Sequence, residues 1–157
     1  MKVFISHKQE DSLYAQFVKR QLDLLKVDSY LDVLDTSINS GGETLTDHIK
    51  DQLNSCTDII VVMSEITKYS WWVPFEIGMA AQKDMPTATY LTSTVSLPDY
   101  LGYWPRLKSV SDVATYVSVR REVADRLQKR YPYSYSQSTY RPIETATFYD
   151  EVKRKLR

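Results

Sequence analysis

The chain has 157 residues, the size of one ordinary domain, with 43% hydrophobic and 25% charged residues, which marks a soluble globular protein rather than a disordered or fibrous one. Its 20 basic side chains balance 20 acidic ones, so no overall field draws it to nucleic acid or to an anionic membrane. The single cysteine, Cys56, excludes an intrachain disulfide and a cysteine-built zinc centre, and no spacing around His7 and His48 marks a metal site.

Lys2 to Ser6 is a short apolar run and reads as a buried strand. The polar turn from His7 to Ser12 leads into a helix over Leu13 to Lys26, with Asp11 or Ser12 as its N-cap. Its wide apolar face takes Leu13, Phe17 and Leu24 together with Tyr14, Val18, Leu22 and Leu25. Ser29 to Leu34 is a second short strand. Asp35 to Gly42 is a polar loop ending in a glycine pair. A helix over Glu43 to Ser55 follows, with Leu45, Ile49 and Leu53 on one face. Thr57 to Ser64 is the strongest strand, and its continuous Ile/Val run implies that both faces are buried, as in a central parallel strand.

The next helix spans Trp72 to Lys83, with Pro74 tolerated in its first turn. Thr87 to Ser93 is a fourth strand, Val95 to Arg106 an irregular aromatic connection, and Leu107 to Ser111 a short edge strand. Asp112 to Arg130 is a helix with Val113, Val117, Val123 and Leu127 on one side. The stretch from Tyr131 to Pro142 is rich in Tyr and Ser and lacks any period, so an irregular segment is expected there. Wrapping of the domain and a free binding arm are both open to it, and its tyrosines suit packing better than a free linker. Glu144 to Leu156 reads as a last helix, with Phe148, Val152 and Leu156 in a stripe.

Strands alternating with helices give an α/β fold, an open parallel sheet with helices on both faces. Ligands of such sheets bind outside the carboxyl ends of the strands. The turn after Ile5, the loop after Leu34 and the segment after Val62 occupy that edge. The N-terminus turns polar directly after Ile5, and no apolar run reaches transmembrane length, so a cytoplasmic protein is expected.

One segment carries unusual chemistry: Ser70-Trp71-Trp72-Val73-Pro74-Phe75-Glu76. On a helix, Trp72 and Glu76 share a face, with Trp71, Phe75 and Met79 as an adjoining stripe. A glutamate beside such a stripe is partly desolvated, which raises its pKa and makes it a candidate for site chemistry. A structural glutamate favoured in a helix's first turn is the alternative reading. No Gly-x-Gly-x-x-Gly, no Gly-x-x-x-x-Gly-Lys and no Gly-x-Ser-x-Gly occurs, so a Rossmann site, a P-loop and a nucleophile elbow are unsupported. The Asp32/Asp35 pair is similar to the acidic cluster of phospho-receiver domains, but Met63-Ser64 stands where a receiver's third strand ends in Asp.

Four boxes together resemble the TIR (Toll/interleukin-1 receptor) domain family. They are Val3-Phe4-Ile5-Ser6-His7 with Asp11, then Tyr30-Leu31-Asp32 with Asp35 and a glycine-bearing loop, then Leu45 to Ser64, then Ser70 to Glu76. The resemblance covers residues 1 to 93 and implies a flavodoxin-like open sheet, with a TIR domain over 1–130 and a segment and helix over 131–157 packed on it. It also implies cleavage of the nicotinamide–ribose bond of NAD⁺, as substrate and without a further cofactor or metal, followed by hydrolysis or cyclisation to a signal nucleotide. Glu76 takes the place of the family's essential carboxylate in Trp-x-x-x-Glu. Trp72 packs against substrate, and Ser6, His7, Lys8 and Ser70, with Asp35, Ser40 and Gly41 of the second loop, border the cleft. Self-association through TIR–TIR contacts is implied as well. The second loop lacks the Arg-Asp-x-x-Pro-Gly of signalling adaptors. A TIR domain standing alone resembles the signal-producing component of Thoeris-type antiphage systems, whose product is sensed by a separate effector protein. Two alternatives stay open, a non-catalytic TIR interaction module and an enzyme of similar fold acting on another nucleoside glycosidic bond.

Overall fold

The computed structural model describes residues 1–31, 42–130 and 137–157, the side chains of 42–43 and 137–141 excepted. The elements run β1 (Lys2–Ser6), α1 (Ser12–Leu24), β2 (Asp28–Leu31), α2 (Gly42–Ser55), β3 (Asp58–Met63), α3 (Trp72–Gln82), β4 (Thr87–Leu91), β5 (Arg106–Leu107), α4 (Val110–Arg130) and α5 (Gln137–Lys155). The five strands form one parallel sheet in the order β2-β1-β3-β4-β5. This is the flavodoxin-like order, in which the chain reverses direction across the sheet between β1 and β3.

Alternation along β3 builds the two halves of the core. Ile60 and Val62 point to one face, with Val3, Ile5, α1, α4 and α5. Ile59, Val61 and Met63 point to the other, with Phe4, α2, α3 and the connection carrying Leu101 and Trp104. All six residues of β3 are buried, as expected of a central parallel strand.

Three expectations need correction. First, α1 is not apolar on one wide face. Ala15, Val18 and Leu22 are buried, while Leu13, Phe17 and Leu24 lie on the nearly opposite side and are 59%, 45% and 71% exposed. Second, β5 is two residues long and comes earlier than expected, and α4 begins at Val110. Third, the irregular segment expected from Tyr131 to Pro142 is helical from Gln137 on, with Pro142 inside α5, while residues 131–136 lie outside the described ones. A proline costs a helix one backbone hydrogen bond, but tertiary packing overrides propensity here. Phe148 and Val152 of α5 are fully buried, and Phe148 meets Tyr116 of α4 edge-on at 4.8 Å.

The short β5 also explains how α5 is used. Thr89 finds a backbone partner in Pro105, but the Thr87 amide lies beyond the reach of β5. It donates instead to the Tyr149 hydroxyl at 2.8 Å, so α5 covers an otherwise open strand edge. At the amino end of β3, the buried Asp58 accepts from Arg120 Nε at 2.7 Å, Tyr116 at 2.9 Å and Thr57 at 2.6 Å. Arg120 also donates to Glu144 of α5 at 2.7 Å, which fastens α4 and α5 to the sheet. Asp58 heads the interactions that hold the Arg120 pKa above its ordinary value, against the opposing effect of burial.

Candidate active site

β1 delivers Ser6 to the carboxyl edge of the sheet, beside β3, at the point where the connection reverses. α3 begins on the same edge. The Ser70 hydroxyl accepts from the backbone amides of Trp72 at 3.2 Å and Val73 at 3.3 Å, so Ser70 acts as the side-chain cap that fixes the start of α3. One turn on, the helix turns Val73, Glu76, Ile77 and Ala80 inward. Glu76 is therefore buried, with 1% of its surface exposed, on the apolar side of its own helix. The Ser6 hydroxyl, itself fully buried, donates a short hydrogen bond to Glu76 Oε2.

The burial of Glu76 comes from that inward face. Of the stripe expected to shield it, Trp71 and Phe75 face out, 92% and 41% exposed, and Met79 packs partly buried against the core. Trp72 is half-buried, its ring 5.1 Å from that of Phe75, and its indole Nε1 is buried without a hydrogen-bond partner among the described residues. Ile66 and Tyr69, in the segment between β3 and α3, are exposed as well.

The remaining candidates fall into three groups. His7 is buried next to Ser6, with Nε2 3.3 Å from the Ser12 hydroxyl, and burial lowers its pKa against the opposing effects of the Ile5 backbone and Asp11. Lys8 turns to the surface and pairs with Glu10 at 2.9 Å. Asp35, Ser40 and Gly41 lie outside the described residues.

Asp11 has a role that sequence reasoning missed. It makes no side-chain cap on α1. Its buried carboxylate instead accepts from Ser64 at 2.6 Å and, through a short bond, from Thr67. Ser64 in turn accepts from the amides of Ile66 and Thr67, each at 3.1 Å. The turn after β1 is thereby tied to the turn after β3, which leads into α3. Met63-Ser64, noted only as departing from the receiver pattern, was the available signal. Among the described residues, no group of three or more His, Cys, Asp and Glu side chains is placed to hold a metal ion.

The site thus offers a buried carboxylate with a fixed hydroxyl partner, at the edge of a parallel sheet where small ligands bind. The all-parallel sheet in the order β2-β1-β3-β4-β5, with helices on both faces, defines a flavodoxin-like α/β domain. The family model for the Thoeris protein ThsB, TIR-like domain, matches residues 4–89, more than half of the chain, and the chain belongs to that family. The matched span runs from β1 into β4 and includes Ser6, Asp11 and Glu76.

Two solved structures show the same fold. The TIR domain of the Toll-related receptor TRR-2 from Hydra magnipapillata is 14% identical over 76% of this chain and 95% of its own, with a TM-score of 0.58. A 2-deoxyribosyltransferase from Bacillus psychrosaccharolyticus is 8% identical over 72% of this chain and 90% of its own, with a TM-score of 0.61. No curated protein sequence matches the chain.

Proposed function

We propose that this protein cleaves the nicotinamide–ribose bond of NAD⁺ and that Glu76 is the residue on which the reaction depends. The observation that carries the reading is the Glu76 carboxylate, buried and held by the Ser6 hydroxyl at the ligand-binding edge of the sheet. As the bond from C1′ of the ribose to nicotinamide breaks, its electron pair leaves with the nicotinamide nitrogen, which becomes neutral. Positive charge develops on C1′ and the ring oxygen. A fixed carboxylate in a water-poor site stabilises such charge without having to reorganise.

Attack by water at C1′ then gives ADP-ribose and releases a proton. Attack by a hydroxyl or ring nitrogen of the same molecule, with loss of a proton in turn, gives cyclic ADP-ribose, lighter than ADP-ribose by the elements of water, a signal nucleotide for a separate effector protein. Trp72 packs against the substrate, with Ser70 holding its helix start. We place this activity in the cytoplasm, in bacterial antiphage immunity, with self-association through TIR–TIR contacts. No helix among the described residues is long and apolar enough to cross a membrane.

Incubating the purified chain with NAD⁺ at two protein concentrations and separating the products tests the reading. Nicotinamide release supports it. A specific activity that rises with concentration supports self-association. No release under any condition that assembles the protein leaves a non-catalytic interaction module. The deoxyribosyltransferase neighbour supports a second reading, another nucleoside glycosidic bond as the target, and nucleosides offered in place of NAD⁺ separate the two.

A further inference from the structure

We propose that the cleft between β5 and the end of α5 is a binding site for a phosphate-bearing anion of nucleotide size, separate from the Glu76 site. The cleft has a volume of about 970 Å³ and shares no lining residue with the site described above. That volume suits a small-molecule ligand.

Its charge is one-sided. Arg106, Lys108, Lys153 and Arg157 line it, and no acidic side chain does. In a chain with equal numbers of acids and bases, composition does not produce such a cluster. The four cations come from two separate parts of the chain, Arg106 and Lys108 at β5 and Lys153 and Arg157 at the end of α5, and the packing of α5 against the sheet edge brings the two pairs together. Nor is any of the four in an ion pair among the described residues. Several other cations are neutralised: Lys8, Lys19, Lys68, Arg120 and Arg126 each pair with an acid, as does Lys155 of the same helix turn, with Glu122 at 3.0 Å. The end of α5 favours cations through its dipole, which accounts for Lys153 but not for Arg106 or Lys108.

Two of the cations have neighbours within the fold: Lys153 Nζ sits 5.7 Å from the centre of the Tyr149 ring, and an Arg106 guanidinium nitrogen lies close to Gly102. Guanidinium groups grip phosphate through paired N–H donors, and ammonium groups add point charge. The hydroxyls of Thr92, Ser93 and Thr94 line the same cleft and add neutral donors. Trp104 and Leu156 supply an apolar wall, which a nucleotide uses and inorganic polyphosphate does not.

The test is titration of the full chain with ATP and with tripolyphosphate, followed by calorimetry at low and high salt. We expect saturable one-to-one binding that weakens with salt, and at least a tenfold loss of affinity in the double variant Arg106→Glu, Lys153→Glu. Arg106→Gln with Lys153→Gln, which introduces no new repulsion, gives a smaller loss in the same direction and serves where the charge reversal fails to fold. Tighter binding of ATP than of tripolyphosphate identifies a nucleotide as the ligand, and equal binding identifies free polyphosphate. The proposal is overturned by absence of saturable binding, by binding indifferent to these substitutions, or by binding lost with Ser6→Ala instead. It is also overturned if the substitutions alter only self-association measured by light scattering, which makes the cleft a protein interface. None of these outcomes depends on NAD⁺ cleavage.

Discussion

The Ser6 hydroxyl donates to the Glu76 carboxylate, joining the end of β1 to the second turn of α3 across 70 residues of sequence. Both groups are buried, so the bond fixes where the carboxylate points and also supplies a donor that a buried carboxylate requires. Ser6 acts through Glu76 in this account.

Replacing Ser6 with alanine therefore slows nicotinamide release without unfolding the protein. Loss of a hydrogen bond to a charged group costs about 1.5–3 kcal/mol, roughly 10- to 100-fold if the whole effect falls on the transition state. The prediction is a fall in kcat with KM little changed. Threonine at the same position, which keeps the hydroxyl, restores part of the loss. An alanine variant with the wild-type kcat would take Ser6 out of the mechanism.

His7 gives the site's neighbourhood a pH dependence. Burial lowers its pKa in the folded state below the ordinary value of 6.5. As pH falls through 6.5, the unfolded chain takes up a proton that the folded chain refuses, so stability falls. The loss continues down to the folded-state pKa and then levels off. Urea midpoints measured from pH 8 to pH 5 should decline on the acid side in the wild type and decline less in His7→Asn. Parallel profiles for the two proteins would show that His7 does not set this dependence.

Much of the fold was legible because its signals are local. β1 and β3 declare themselves as unbroken apolar runs, and Phe148 and Val152 of the α5 stripe are completely buried, with Leu156 partly so. Glu76 stood out because a carboxylate interrupts an apolar segment. The partners of these residues were not legible. Ser6 meets Glu76, and Asp11 meets Ser64 and Thr67, only because parallel crossovers return distant segments to one sheet edge. The apolar residues of α1 were misassigned for a related reason: periodicity gives two stripes, and only the packed structure tells which one faces the sheet. Pro142 hid the first turns of α5, since local propensity argued against the helix that tertiary contacts support.

The contribution of α5 to stability can be measured at Phe148. Its ring is fully buried among Tyr116, Tyr149 and the Arg120 guanidinium, which lies 5.2 Å from its centre. Truncating a buried phenylalanine to alanine costs about 3–5 kcal/mol, a large share of the 5–15 kcal/mol typical of a whole domain. Phe148→Ala should lower the urea midpoint sharply, or give insoluble protein. A loss under about 1 kcal/mol would mean that α5 packs as a dispensable arm.

The most direct test of the central claim is the rate of nicotinamide release by Glu76→Gln beside the wild type, under conditions in which the wild type turns over. Glutamine keeps the size of the side chain and a carbonyl acceptor for Ser6, and removes the negative charge. The account predicts a folded protein, with an unaltered circular dichroism spectrum, whose rate falls by about 10²–10³, the equivalent of about 3–4 kcal/mol of lost charge stabilisation. A folded Glu76→Gln protein that releases nicotinamide at the wild-type rate would contradict it.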